Sequence, residues 1–528
     1  MPTFKLDGKE IPFETGDTII RAASRQGIEI PHYCWHEGLS VAGNCRMCLV
    51  EVKSDRPMML PILKFDENKK QFLPDSKIKL VPACHTPAAE GMEVFLDKEN
   101  VRKTQEMVQE MLLLNHPVDC PICDQAGECK LQDYWELHGS KYKRKRTEPV
   151  HKPKAVRFGT TIVYDAERCI LCTRCVRFCE EVVGDHVLDK RERGNKSEIV
   201  LSPGRYLDNK YTLNLAQICP VGALTSVDFR FKSRAWLLRS AVSICAGCAT
   251  GCSSYIDYDP RTYEVYRIRA RKNMGVNKFW MCDDGFMSYK LIQKYRVKNG
   301  VIRAAEQKAV SPGDALQAAA KALSEIEGKR IAVVLSAQHA SEDNAVLAQF
   351  AREVLGTEKY YLAAYGGWKG DKILRHSDNN PNRAGAIRVA GRGLAPTNEL
   401  LKAAEDGTIS AVVTLGPAGE EKLDQLDPLQ KLSAVVSLSS NIGAFTEVAS
   451  VVIPVAHYAE MDGTFVNAMK MEQRFSRALP PPDRVKPAWQ TIIDLARAMG
   501  KELECGSLED IRKRMPSAQA VEAEGSNN

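Results

Sequence analysis

The chain has 528 residues, 44% hydrophobic and 27% charged. That composition excludes fibrous and wholly disordered classes, and the length predicts roughly three or four domains. Lys and Arg exceed Asp and Glu by 73 to 67, a net +6 too small to imply nucleic acid, and no apolar run approaches the roughly 20 residues of a membrane span.

In chain order, TFKLDGKEIPF predicts two short strands around an Asp7-Gly8 hairpin turn. TIIRAASRQGIEI then spaces Ile19, Ile20 and Ala23 as a helix closed by Gly27. Residues 98–114 predict an amphipathic helix that stops at Asn115-His116-Pro117, because proline cannot continue it. The basic, proline-interrupted run 141–157 reads as a linker. From about 300 the texture alternates: strand 329–337, helix 341–356, strand 409–416, a helix around Lys422–Leu432 and strand 433–439. This pattern predicts a parallel sheet covered on both faces. The small, polar tail from Pro516 is expected to be disordered. The opening MPTFKLDGKE lacks an export signal, so a cytosolic or matrix-facing protein is expected, with membrane contact only through partners.

Sixteen of the 17 cysteines fall between Cys34 and Cys282, and in a reducing compartment short CxxC steps point to metal sites. Four ligand sets follow from spacing. The first is Cys34-x10-Cys45-x2-Cys48 with Cys84, a layout related to plant-type [2Fe–2S] ferredoxins. Gly43 beside it suits a backbone that wraps closely and points amides at sulfur, while the polar stretch before Cys84 reads as a surface insertion. The second is His116-x3-Cys120-x2-Cys123-x5-Cys129, where a neutral imidazole among thiolates would raise the cluster potential, as in Rieske centres. The third is Cys169-x2-Cys172-x2-Cys175, joined by Cys219-Pro220. Cys179 occupies the place that serves a second cluster in two-cluster ferredoxins; no CxxCxxC precedes Cys219, so Cys179 reads as a spare, buried thiol. The fourth is Cys245-x2-Cys248-x3-Cys252 with Cys282 after 29 residues. Sets two to four suit [4Fe–4S] clusters. Zinc remains the alternative for the first, second and fourth.

The stretches IPHYCWHEGLSVAGNCRMCLVEV, NHPVDCPICDQAGECKLQD, and ERCILCTRCVRFCEEV with ICPVGAL make the chain resemble the large iron–sulfur subunits of respiratory complex I, the NADH:quinone oxidoreductase (the G subunit in bacteria, the 75 kDa subunit in mitochondria). CAGCATGC with MCDDG is similar to the extra [4Fe–4S] site of some bacterial members and of molybdopterin oxidoreductases. VVIPVAHYAEMDGTFVNAMKMEQRFSRALPPP resembles a molybdopterin-enzyme domain.

The resemblance implies α+β ferredoxin-type iron–sulfur domains followed by an α/β domain like a truncated molybdopterin oxidoreductase. The expected domains are a [2Fe–2S] ferredoxin-like domain at 1–97, a histidine-ligated segment at 98–140 and a ferredoxin-like [4Fe–4S] domain at 141–235. A molybdopterin-oxidoreductase-type [4Fe–4S] domain at 236–295, a shortened α/β domain at 296–515 and the tail 516–528 complete the chain.

It further implies one [2Fe–2S] and three [4Fe–4S] clusters, and a wire without a catalytic residue of its own. The expected partners are the flavin/NADH-binding subunit, a small [2Fe–2S] subunit and quinone-side iron–sulfur subunits, in a peripheral arm on the cytoplasmic face of the bacterial inner membrane. Molybdopterin is not expected: there is no Cys between 283 and 504, and the Gly-rich GRG at 391–393 is broken by Pro396. Of the rivals, an iron-only hydrogenase would need a second CxxCxxC, and an NAD-linked formate dehydrogenase a full molybdenum domain.

Overall fold

The computed structural model describes residues 1–53, 61–140, 144, 148–303, 306–391, 393–416 and 423–516. The chain forms two compact units, Met1–Trp236 and Leu237–Asn528.

In the first unit a six-stranded sheet runs in the order Lys9–Pro12, Thr3–Leu6, Glu93–Phe95, Leu49–Lys53, Gln71–Pro82, Pro61–Asp66. The expected hairpin is present: Leu6 pairs with Lys9, and Asp7 (φ 47°) and Gly8 (φ 86°) both take the left-handed conformation that matches the twist of a two-residue loop. Helix Ile19–Arg25 buries Ile19, Ile20, Ala22 and Ala23 in one core with Phe4, Ile11, Val50 and Val94. The stretch between Cys48 and Cys84 is more than a surface insertion. Both Leu49–Lys53 and Pro61–Asp66 pair with Gln71–Pro82, because β-forming residues flank its polar tip, and Glu67–Lys70 is the exposed turn.

Helix Glu99–Leu113 forms where expected, but its buried side chains are Val101, Gln105 and Gln109, while Met107 and Met111 are exposed. The reason is the surface it packs on. Gln109 donates to the Tyr33 hydroxyl at 2.5 Å and lies 3.8 Å from the Met47 sulfur, both next to cysteines of the first set. The described part of the basic run is irregular until the short strand Val156–Arg157. That strand pairs with Ile162–Tyr164, which pairs with Leu224–Ser226. This small sheet and helices Arg174–Arg177 and Leu213–Ile218 frame the third cysteine set.

The second unit opens with an antiparallel sheet of Arg239–Ile244, Ser253–Tyr258 and Val265–Ala270. An eight-stranded sheet follows, in the order Gln307–Val310, Gly300–Arg303, Val451–Pro454, Ala434–Ser439, Ala411–Leu415, Ile331–Ser336, Tyr360–Ala363, Ala395–Pro396. From Val451–Pro454 to Ala395–Pro396 the pairs are parallel, and the four strands Val451–Pro454, Ala434–Ser439, Ala411–Leu415 and Ile331–Ser336 are buried on both faces, as parallel sheets require. Ile331, Val333 and Leu335 join Ala315, Leu347 and Ile492 on one side. Ala332 and Val334 join Leu400, Leu429 and Phe445 on the other.

The helix expected around Lys422–Leu432 is instead two short turns, Leu423–Leu426 and Asp427–Gln430, since Pro428 cannot donate to the preceding turn; Lys422 lies outside the described residues. The expected disordered tail lies outside them beyond Pro516. The architecture is α+β at the N-terminus and α/β at the C-terminus.

Candidate functional site

The first cysteine set sits on loops at the end of the N-terminal sheet. Cys34, Cys48 and Cys84 are buried and Cys45 is half-buried. The side chains hydrogen-bond among themselves, Cys34 with Cys45 and Cys84, and Cys48 with Cys84. Hydrogen bonds from Cys45 and Cys84 pull the Cys34 thiol down to about 2. Cys84, donating to Cys34 and Cys48 and buried, is pushed far up, and so is Cys45, which donates to Cys34. The pattern is that of thiols that cannot all ionise together unless a cationic core supplies the opposite charge. Gly43 is left-handed (φ 61°) with open space where a Cβ would stand, so the glycine is required by conformation.

Cys120, Cys123 and Cys129 of the second set are neighbours, Cys120 exposed and Cys123 buried. His116 lies just past the end of helix Glu99–Leu113. Burial, aided by Arg168, pushes its imidazole down to about 4, so it is neutral at pH 7, and its buried Nδ1 has no hydrogen-bond partner. It lines a cavity of about 120 Å³ whose wall also includes Cys169. A neutral imidazole with an unpartnered buried nitrogen is the donor chemistry of a metal ligand. The Cys120–Cys129 loop is braced from behind. Arg234 donates to the Cys123 carbonyl at 2.7 Å and to the Pro121 carbonyl, and the Phe231 amide donates to Asp124 at 2.7 Å.

Cys169, Cys172, Cys175 and Cys219 all line one small cavity, whose other walls include Tyr164, Ile199, Val221 and Leu224. Leu171 (φ 55°) and Thr173 (φ 58°) are left-handed, an uncommon state for such residues, and the Leu171 amide reaches the Cys169 sulfur at 3.4 Å. Burial pushes Cys169, Cys172 and Cys219 up to about 11 and Cys175 well above the usual thiol range. Cys179 is buried in the π-helical turn Phe178–Val183 and is not among the cavity-lining residues.

In the second unit Cys245, Cys248, Cys252 and Cys282 are all buried and mutually close. The Cys245 amide donates to the Cys252 carbonyl at 2.8 Å, and the Gly247 amide reaches the Cys245 sulfur at 3.4 Å. A Cβ at Gly285 would stand 3.1 Å from that sulfur. Burial pushes Cys282 up to about 12 and Cys245 and Cys252 further.

Within the first unit the third cage touches the other two. The Asn44 side chain donates to the Leu171 carbonyl at 3.1 Å. On the other side the Lys130 amide, just after Cys129, donates to the Pro220 carbonyl at 3.0 Å. A Cβ on Gly222 would lie 2.1 Å from the Cys123 sulfur. Spacing alone did not reveal Gly222, Arg234 or Asp124; the one available signal was the Gly in ICPVGAL. Among the described residues no three His, Cys, Asp or Glu are arranged to hold a single metal ion. The fit to clusters rests instead on walls of clustered thiols, with Gly222, Gly247 and Gly285 where an added Cβ would meet a cysteine sulfur at 3.4 Å or less.

The second unit has a cavity of about 270 Å³ at the C-terminal ends of its parallel strands, lined by His339, Asn441, His457 and Tyr458 among others. It is below the roughly 300–1,000 Å³ of drug-sized ligand sites, and no thiol lines it. These walls do not fit a pair of pterins around a thiolate-held metal.

Comparison with known proteins matches the regions that carry these cysteines. Residues 1–99 match the family described as 2Fe-2S iron-sulfur cluster binding domain, and residues 105–144 the NADH-ubiquinone oxidoreductase-G iron-sulfur binding region. Residues 159–225 match the ferredoxin-like domain of NADH-quinone oxidoreductase subunit 3, and residues 362–498 match molybdopterin oxidoreductase. The NADH-quinone oxidoreductase G subunit of Streptomyces coelicolor is 36% identical over 398 residues, 74% of this chain and 43% of the relative. The NADH-ubiquinone oxidoreductase 75 kDa subunit of Reclinomonas americana is 35% identical over 392 residues, 71% of this chain and 52% of the relative. A chain of the solved NAD+-reducing [NiFe]-hydrogenase in the H2-reduced state overlaps 44% of this chain and 90% of its own length, at 28% identity and a TM-score of 0.36. The chain spans about half the length of the curated relatives it matches. Through its iron–sulfur regions and these relatives together, the chain is similar to the large iron–sulfur subunit of complex I, the G or 75 kDa subunit of NADH-quinone oxidoreductase.

Proposed function

We propose that the chain is an electron-transfer subunit of NADH:quinone oxidoreductase, relaying electrons from a flavin/NADH-binding subunit toward quinone. In this reading Cys34, Cys45, Cys48 and Cys84 hold a [2Fe–2S] cluster. Three [4Fe–4S] clusters are held by His116 with Cys120, Cys123 and Cys129; by Cys169, Cys172, Cys175 and Cys219; and by Cys245, Cys248, Cys252 and Cys282. The observation that carries the reading is the cavity walled by the four cysteines of the third set and apolar side chains, in contact on either side with the loops of the first and second sets.

Bound iron–sulfur clusters supply reversible one-electron chemistry, at potentials set by ligands, hydrogen bonds and exposure. The chain's own residues do the rest. Ile199, Val221 and Leu224 exclude water, the Leu171 and Gly247 amides point at sulfur, and His116 offers a neutral nitrogen where the other ligands are thiols. The exposed Cys120, flanked by exposed Val118 (92%) and Ile122 (60%), marks where a quinone-side iron–sulfur partner would approach. Among the described residues no helix is long and apolar enough to cross a membrane; the place that goes with the electron-transfer reading is a peripheral arm on the cytoplasmic face of the bacterial membrane.

The test is iron and acid-labile sulfide per mole of the purified full chain, with low-temperature paramagnetic resonance after reduction. One [2Fe–2S] and three [4Fe–4S] clusters are expected. A colourless, zinc-loaded chain refutes the reading.

A further inference from the structure

Arg174 and Arg177 lie within the third cysteine motif, and each is only 8% exposed. Among the described residues their hydrogen-bond partners are all backbone carbonyls. Arg174 donates to Trp35 at 2.5 Å and to Ile218 at 3.0 Å. Arg177 donates to Ser40, whose own amide goes to Glu181 at 2.8 Å. A single Arg177 nitrogen, Nη2, donates to both the Cys34 carbonyl at 2.6 Å and the Cys172 carbonyl at 3.2 Å. The Nε of each guanidinium is buried without a partner.

A buried cation lacking an anion is strongly destabilising, so its compensation has to lie nearby. The groups that act electrostatically on Arg174 are Cys172, Cys219 and Cys34, which favour its charge, and Arg177, which opposes it; Arg174 in turn acts on the imidazoles of His32 and His36. The cages themselves are therefore the source of the missing anion. A cluster held by four thiolates is anionic, and each electron it accepts makes it more so.

We propose that Arg174 and Arg177 are a shared counter-charge set between the first and third cages, raising the reduction potential of both clusters and muting the repulsion between electrons held on them. No bond forms or breaks; the fixed charge stabilises the reduced form of each cluster. The proposal rests on the cluster reading above. A rival role as a mere clamp between two loops needs the N–H donors but not the charge, so substitution can separate the two.

The experiment is a potentiometric titration of the full cluster-loaded chain, followed by low-temperature paramagnetic resonance, in the parent and in Arg174→Gln, Arg177→Gln and Arg177→Lys. Glutamine keeps an N–H donor without charge; lysine keeps the charge. In both Gln variants the [2Fe–2S] signal and one [4Fe–4S] signal are expected to fall by at least a tenfold change in the reduced-to-oxidised ratio at fixed poise, about 59 mV for one electron. The other two clusters should hold their potentials, and the Lys variant should shift by less than half as much. Unshifted potentials in the Gln variants with iron intact, or an equal fall in the Lys variant, overturn the proposal. If a Gln variant loses its iron, the Lys variant decides: clusters kept at parental potentials support the charge, and clusters lost refute it. A parent chain without any cluster signal refutes the cluster reading itself, which sets that failure apart.

Discussion

Replacing Gly222 by Ala tests how closely the second and third cages are fitted together. The added Cβ would stand 2.1 Å from the Cys123 sulfur and 3.2 Å from Gln125 Cβ, roughly 1.4 Å inside the ~3.5 Å at which heavy atoms pack. Neither neighbour is the free end of a flexible side chain: Cys123 belongs to a loop pinned by Arg234 at 2.7 Å, and Gly222 follows Pro220, which accepts from Lys130 at 3.0 Å. Overpacking of this kind costs about 1–3 kcal/mol, within the 5–15 kcal/mol stability typical of a domain, so the chain should still fold. A ligand displaced by much more than about 0.5 Å, however, leaves productive geometry. The expected result is loss of only the cluster proposed on His116, Cys120, Cys123 and Cys129, read as missing iron and sulfide and one missing paramagnetic signal, with the [2Fe–2S] signal retained. A variant that keeps all four clusters and the parental melting temperature refutes the close approach.

Three further outcomes follow from the same geometry. His116→Cys should keep a cluster but lower its potential, because a thiolate replaces a neutral donor; an unchanged redox titration counts against ligation by His116. Cys179→Ala should leave iron content intact and cost about 1 kcal/mol of stability, and loss of a cluster overturns its reading as a spare thiol. His32, pushed by burial from the usual 6.5 to about 4, binds its proton more readily in the unfolded chain, so its neutrality favours folding above pH 6.5 and that benefit is lost as pH falls toward 4. Between pH 6.5 and 5 the loss is roughly 1.5 kcal/mol. His32→Gln should flatten denaturant-measured stability by that amount, and an unaltered slope sinks the assignment.

Much of the fold could be read in the sequence where a local rule is strict. Asp7-Gly8 permits the left-handed pair that closes a two-residue hairpin, and largely apolar runs such as Ile331–Ser336 and Ala434–Ser439 are buried on both faces of the parallel sheet. Short cysteine steps likewise made neighbours of Cys169, Cys172 and Cys175. What escaped depends on contacts distant in sequence. Gln109 is buried because a phenol and a thioether from another loop receive that helix face. Arg174 and Arg177 look like solvated charges until carbonyls more than 100 residues away close over them. Gly222 looks like an ordinary turn residue until a sulfur from another loop meets it.

The left-handed backbone at Leu171 and Thr173 puts a conformational cost inside the third cysteine motif. Each such residue costs about 1–3 kcal/mol to hold, and a β-branched threonine is among the least willing to stay there. The loop keeps this shape only because the packing around it over-determines the backbone, and Thr173→Gly, which takes the same conformation without that cost, is expected to raise the melting temperature.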